Sequence, residues 1–485
     1  METFLSTYLH GNSTTVSIRG SAFGPDDPPG EPSPPSNTPA WLRKALQSVT
    51  LAMPFPGASE TNLIQSLELS NLKIDFNHAG EPLVSGDVVV MLHMPREMNF
   101  ALNVTEILPD VYFYPTADSN DPFARLAPST PSPARTIPLD QEGQFKVESH
   151  LAKAPFTVLQ QDEFEKFVEQ IFNGRAGRIF IRGTARAHVA SAFGELDVRG
   201  LSFTGVIDTK GMEGMKRYPP VVTSIDIVKG TPKALYLQAG LTIESPSDLD
   251  INLGQVDLHL FYNDVLLGDA DLPTLRLRPG KNDLSLTIRL WPSVETEAFI
   301  GHYISGDNNK TTLVVSGHAN ATRSKYLVPV MRQLSFEVTP PRFDAEPLLA
   351  DMQMNLLSST TVLWLRNPFK NIYIQLVRLN ASATYKIHPV GTAYADFREA
   401  EAGWQGPVIL PPMQCTDTLC EPAVIETPKI PVMTKKLGWD TITRALGGQI
   451  DVSVESRLTI MIDTLLLNDI GYQRSNLTTK VRKQF

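Results

Sequence analysis

An internal repeat limits what this chain can fold into more than any single motif does. The stretch FIGHYISGDNNKTTLVVSGHAN at 299–320 has three relatives: FLSTYLHGNSTTVSIRGSA at 4–22, FVEQIFNGRAGRIFIRGTA at 167–185 and, more loosely, WDTITRALGGQIDVSVES at 439–456. In the first three an aromatic residue, Phe4, Phe167 or Phe299, is followed four positions later by Tyr8, Ile171 or Tyr303. That spacing sets both on one face and predicts a short helical turn with two side chains packed inward. Seven residues after the aromatic comes Gly11, Gly174 or Gly306, suited to a helix stop with positive φ. A strand then runs into a second glycine, Gly20, Gly183 or Gly317; the fourth copy shifts its glycine to Gly447 and lacks the second.

Two further signatures share the period. Pro95, Pro246 and Pro368 lie in MPREMNFAL, SPSDLDINL and NPFKNIYIQL, each after one strand-like run and before another. GLSF at 200–203 and QLSF at 333–336 follow Gly183 and Gly317 by nearly equal intervals. Between these marks, LTIES, QVDLHLFY, DLSLTIRL and FKVESHL alternate apolar and polar residues with period two. This is the pattern of strands with one face in a core and one in water. Turn formers recur at short intervals, which favours antiparallel β-sandwiches over α/β units.

GPDDPPGEPSPPSNTP at 24–39 carries seven prolines and reads as an extended linker, while LAPSTPSPARTIP (126–138) and ILPPMQCTDTLCEP (409–422) read as long surface loops. The expected organisation is a module tail at 1–23, a Pro-rich linker at 24–47, and β-sandwich modules at 48–208, 209–340 and 341–485. An incomplete first module would leave an open sandwich edge, so the native protein is expected to continue upstream.

The x-Pro-x-x-aliphatic-x-aliphatic stretch, followed by small-residue steps at Gly268-Asp-Ala270 and Gly391-Thr-Ala393, resembles the water-stress (LEA type-2) sandwich. Tandem copies with the F-x3-Y/I-x2-G turn and I-R-G strand resemble the fungal termination-of-autophagy (Tag) family, over nearly the whole chain. The resemblance implies a mainly β protein of tandem antiparallel Ig-like (LEA type-2-like) β-sandwiches, each with a short helical turn. It also implies the luminal region of a vacuolar membrane protein that promotes termination of autophagy. The membrane helix and cytosolic tail of that family are not found in this chain.

A formal charge of −9 with no concentrated Lys/Arg face argues against nucleic acid as a partner. No apolar run approaches membrane-helix length and the start lacks a signal-peptide pattern, so the chain reads as soluble and without an address. Cys415 and Cys420 are too few for a structural zinc site; they form a local disulfide in an oxidising compartment or stay a pair of free thiols. Sequons at Asn12, Asn103, Asn309, Asn320, Asn380 and Asn476 outnumber chance and point toward a secretory or vacuolar lumen.

There is no P-loop, G-x-S-x-G or H-E-x-x-H, and the nine histidines show no metal-ligand spacing, so neither catalytic, cofactor nor metal residues are expected. Asp269 and Asp271 share a strand face but are few for calcium, and they read as a solvated face. His302 and His318 align with Thr7 and Gln170, and with Ser21 and Thr184, positions at which the repeat keeps no histidine. The expected partners are an unidentified protein or vacuolar content, with membrane linkage through a helix outside this chain. The alternative is a lipid held in a cleft between the sheets of a sandwich.

Overall fold

The computed structural model describes residues 7, 13–19, 39–55, 64–77, 80–94, 102–139, 143–191, 194–215, 217–341, 347–355, 358–386, 388–399, 406–413, 422–426 and 448–482. The chain forms two compact units: residues 1–74, 81–164 and 177–209 make one; residues 75–80, 165–176 and 210–485 make the other. Both are built almost wholly of antiparallel strands.

The first unit opens with β1 (Thr14–Arg19), α1 (Ala40–Ser48) and β2 (Thr50–Phe55), with β1 and β2 paired as a separate ribbon. Helix α1 occupies the end of the stretch read from sequence as linker. The sandwich itself comprises β3 (Ile64–Asp75), β4 (Leu83–His93), β5 (Leu102–Tyr114), β6 (Ala124–Leu126), β7 (Ser132–Pro138), β8 (Gln144–Val158), β9 (Ala176–Ser191) and β10 (Gly194–Lys210); of the helix between β8 and β9, α2 (Gln161–Asn173), residues 165–173 belong to the second unit. Its strand order is β10-β9-β5-β6-β8-β4-β3, with β7 bridging β5 and β8. Val104, Val147, Ala187 and Val189 meet at the centre.

LAPSTPSPARTIP is therefore not wholly a loop. Ala134 to Pro138 pair with Ser149 to Phe145, and the prolines fall near the ends of β7, where a missing N–H is tolerated.

The second unit holds two sandwiches. The middle one runs through β11 (Val221–Thr231), β12 (Ala234–Ser245), β13 (Asp250–Tyr262), β14 (Val265–Leu277), β15 (Gly280–Leu290), α3 (Val294–Ser305), β16 (Leu313–Ser316), α4 (Val328–Gln333) and β17 (Ser335–Val338). Its order is β11-β12-β15-β14-β13-β16-β17. Alternation does what the sequence promised: Val256, Leu258 and Leu260 of β13 and Leu286, Ile288 and Leu290 of β15 are buried. The third comprises β18 (Leu349–Asn355), β19 (Thr360–Leu365), β20 (Ile374–Tyr385), β21 (His388–Asp396), β22 (Val408–Leu410), β23 (Ala423–Glu426), β24 (Gln449–Ile462) and β25 (Leu465–Arg482). Its sheet runs β21-β20-β24-β25-β18-β19-β23, with the long β25 paired antiparallel with β24 and parallel with β18.

The helical turns of the repeat form where they are described. Helix α3 is capped by the Ser293 side chain, which accepts the Thr296 N–H at 3.1 Å, and it ends on Gly306 at φ 73°. Phe299 and Tyr303 are buried and stacked, with Tyr262 edge-on to Phe299 at 5.7 Å. In α2 the buried stripe is Phe164, Val168, Ile171 and Phe172, while Phe167 is only half-buried. Gly174 lacks the positive φ expected of it; a Cβ there would instead meet the Gln170 carbonyl oxygen at 2.4 Å. The echo of GLSF in QLSF has no common structure, since the first lies inside β10 and the second spans the end of α4 and the start of β17. Phe4, Tyr8, Gly11, Gly20, Pro95, Gly447, Asn12, Cys415 and Cys420 lie outside the described residues.

Candidate functional site

A polar concave site lies where the middle sandwich meets the third. Helix α3 presents its outer face to β25. Glu297 Oε1 accepts the Asn468 N–H at 2.7 Å, and Ser305 Oγ accepts the Gln473 N–H at 3.0 Å while donating to the Gly301 carbonyl at 2.7 Å. Gly301 lets the helix backbone reach the strand, for a Cβ there would stand 2.3 Å from the Gly471 carbonyl oxygen. A second pin joins the β11–β12 turn to the β24–β25 turn: the Gly230 N–H donates to Asp463 at 2.9 Å, and a Cβ on Gly230 would lie 2.2 Å from the Ile462 carbonyl oxygen. At a third, the Asp226 carboxylate accepts the Lys370 N–H at 3.0 Å and the Asn371 amide at 2.6 Å.

Beside α3 this junction leaves a groove of about 910 Å³. Its floor is the outer face of the third sandwich, where Asn380 and Ser382 of β20, Glu455 and Arg457 of β24 and Gln473 of β25 stand in adjacent rows. Its wall is the end of α3, with His302, Ser305 and Asp307. Arg457 is ion-paired with Asp469. Burial, then the nearby Lys310 charge, pushes the His302 imidazole below its ordinary value, with Asp307 opposing. The groove is polar, solvent-facing and rich in donors and acceptors, suited to a hydroxyl-bearing or mixed-charge ligand.

A second cluster sits on the middle sandwich. His259 of β13 and His318, just past β16, stack with ring centroids 3.9 Å apart and planes 16° apart. The pairing of His259 with Ser316 brings together two residues that no sequence spacing linked. The Asn320 N–H donates to His318 Nδ1 at 3.2 Å, which leaves the proton of the neutral ring on Nε2. His318 Nε2 and Asp257 Oδ1 are buried without a hydrogen-bond partner among the described residues.

Burial, and then the neighbouring His259, lowers the His318 pKa; burial, and then Asp269, raises that of Asp257. Asp269 is itself buried and paired with Arg289, which corrects its assignment to a solvated face, while Asp271 takes the Gln255 amide at 3.1 Å. No group of three or more potential ligands converges on a metal position among the described residues.

The sandwich interiors hold small voids. One of about 80 Å³ lies between the sheets of the third module, lined by side chains such as Leu363, Ile374 and Leu458. Another of about 100 Å³, lined by Val90, Val104 and Phe203, lies in the first. Ligand pockets for drug-sized molecules run roughly 300–1,000 Å³.

The described sequon asparagines are scattered. Asn309 sits on an exposed turn after α3, Asn320 on an exposed turn after β16, Asn103 in β5, Asn476 in β25 at φ 56°, and Asn380 in β20 on the groove floor. Among the described residues no helix is long and apolar enough to cross a membrane.

Three family models match the sequence. Residues 218–327 match the Tag1-like fourth LEA-2 like domain, residues 342–468 the Tag1-like fifth LEA-2 like domain, and residues 133–260 a protein domain of unknown function, DUF3712. No curated protein matches the chain. Among solved structures, the BSP domain of a biofilm associated protein shares 7% identity over 87% of this chain and 67% of its own, with a TM-score of 0.15. A partial N-terminal region of an enterococcal surface protein shares 9% identity over 59% of this chain and 96% of its own, at a TM-score of 0.13. Superpositions that poor carry no argument.

Proposed function

This chain is a Tag-family protein carrying the fourth and fifth LEA-2-like domains in tandem, and on that premise we propose that it is a non-enzymatic interaction scaffold. It faces the lumen of the vacuole and is tied to the membrane by a segment outside this sequence. Its role is the family's: promoting termination of autophagy, by recognising a protein partner or vacuolar content.

The observation that carries this is the junction of the two matched domains. Close backbone contact at Gly301 and Gly230 and the paired hydrogen bonds at Asp226 hold the two domains together, and polar residues of both line one groove. A surface fixed across two modules suits recognition of an extended partner. A lipid-binding alternative draws less support, because the interior voids of about 80 and 100 Å³ fall well below the roughly 300 Å³ at which ligand pockets begin.

Deleting residues 218–468 from the full protein in its own host is expected to prolong autophagy after extended starvation, measured as continued delivery of an autophagic cargo reporter. Termination at the normal time would overturn the proposal.

A further inference from the structure

We propose that an N-linked glycan on Asn380 lies in the groove between the middle and third sandwiches, crossing β24 toward α3. The proposal rests on the luminal orientation proposed above, since only there does the chain meet the transfer machinery. In that step the Asn380 Nδ2 attacks the anomeric carbon of a lipid-pyrophosphate oligosaccharide. One N–H proton is lost, the N-glycosidic bond forms and the lipid pyrophosphate leaves.

Strand geometry sets the direction of the sugar. Along β20, Leu379 is buried and lines the interior void, Asn380 is exposed and lines the groove, and the half-buried Ala381 and Ser382 border both. Asn380 is exposed, and its register partners are Arg457 on β24 and Tyr394 on β21.

From β20 to β25 is two strand spacings, about 10 Å. Over that distance the floor offers Glu455, Arg457 and Gln473, and the far wall offers His302 and Ser305. Carboxylate, guanidinium, amide and hydroxyl groups are the complement of a chain of sugar hydroxyls. The volume of about 910 Å³ lies within the range of formed ligand sites.

Asn309 and Asn320 give the contrast, since both sit on exposed turns and neither lines this groove. A glycan at either starts outside the groove. One at Asn380 is held at high effective concentration beside a wall contributed by the neighbouring module, and would brace the junction.

The test uses the full-length protein purified from its own host and digested, without denaturation, by an endoglycosidase that cuts between the two core N-acetylglucosamines. Glycopeptide mass spectrometry reads each site over time. Asn380 is expected to be occupied and to be cleaved at least about tenfold more slowly than Asn309 or Asn320, as follows when about nine in ten glycans are docked. Gly301→Leu, which opens the junction, is expected to abolish that difference. Ser382→Ala, which removes the sugar while keeping Asn380, is expected to raise hydrogen exchange in α3 and β25.

An empty Asn380, cleavage at the same rate as its exposed neighbours, or unchanged exchange in Ser382→Ala would overturn the proposal while leaving the luminal orientation standing. A protein with none of its sequons occupied would overturn both.

Discussion

Gly317 and Gly306 lie eleven residues apart in one copy of the repeat, yet the structure needs them for different reasons, and replacing each by alanine separates the two. Gly317 has an ordinary backbone, but a Cβ on it would stand 2.0 Å from the Met331 carbonyl oxygen and 2.8 Å from its carbon, both backbone atoms of α4. To reach even 3.0 Å, α4 and the end of β16 must separate by about 1.0 Å. That breaks or stretches the Gly317 N–H to Leu334 carbonyl bond of 2.9 Å and loosens packing around the buried Met331. Overpacking of this kind costs about 1–3 kcal/mol, and here the high end applies because no side-chain rotation relieves it.

Gly306 is the reverse case: nothing lies within 4 Å of its Cβ position, but its φ is 73°. Alanine there pays only the left-handed penalty of roughly 1–2 kcal/mol, and asparagine less. Urea unfolding followed by circular dichroism, with hydrogen exchange at Val314 and Val315 isolating the middle sandwich, gives both values. The expected order is G317A worse than G306A, and G306A worse than G306N. A Gly317→Ala protein as stable as the parent, or the reverse order, would refute the close-approach account of the repeat's second glycine.

Two further outcomes follow from charge and contact. His318 is held below its ordinary value of 6.5 by burial and the stacked His259, so below that pH the folded chain binds fewer protons than the unfolded one. Stability is therefore full above 6.5 and falls as pH drops through it, whereas Asp257, raised above 3.8, adds stability as pH falls through its folded value. His259 on β13, Asp269 and Asp271 on β14 and Arg289 on β15 supply the surrounding charge. Replacing His318 by glutamine is expected to flatten the fall in urea midpoint between about pH 7.5 and 5.5, and an unchanged slope would remove His318 as its source. Gly301→Val sets a side chain against the Gly471 carbonyl, so the Asn468 and Gln473 amides are expected to lose exchange protection by the equivalent of about 1–3 kcal/mol while Val314 and Val315 keep theirs. Retained protection would mean the two modules do not depend on that contact.

Local signals carried well. The alternation in QVDLHLFY and DLSLTIRL became the buried faces of β13 and β15, and the Phe299/Tyr303 spacing became a stacked pair inside α3 with Gly306 as its left-handed stop. The failures share a cause. β7 was hidden because prolines veto a strand interior but not its ends. The His259–His318 pair was hidden because β-pairing sets His259 opposite Ser316, 57 residues away, and no local window reports strand register. Asp269 looked solvated because alternation assigns a face but not what covers it, and Arg289 covers it.

The groove was illegible for a stronger reason: it belongs to no single module. Its floor comes from three strands of the third sandwich and its wall from a helix of the middle one. Gly301, Gly471 and Gly230 bring those parts together, and a sequence shows such glycines only as small residues. Gly301 in particular sits mid-helix, where glycine weakens a helix by roughly 1 kcal/mol relative to alanine. A helix already stopped by Gly306 has no local use for a second glycine five residues earlier, so the loss is offset elsewhere. The Gly471 carbonyl at 2.3 Å from the missing Cβ says where. In tandem modules, a glycine that harms its own element is thus a marker of contact with the next one, and it can be sought in sequence by asking which helix glycines no turn explains.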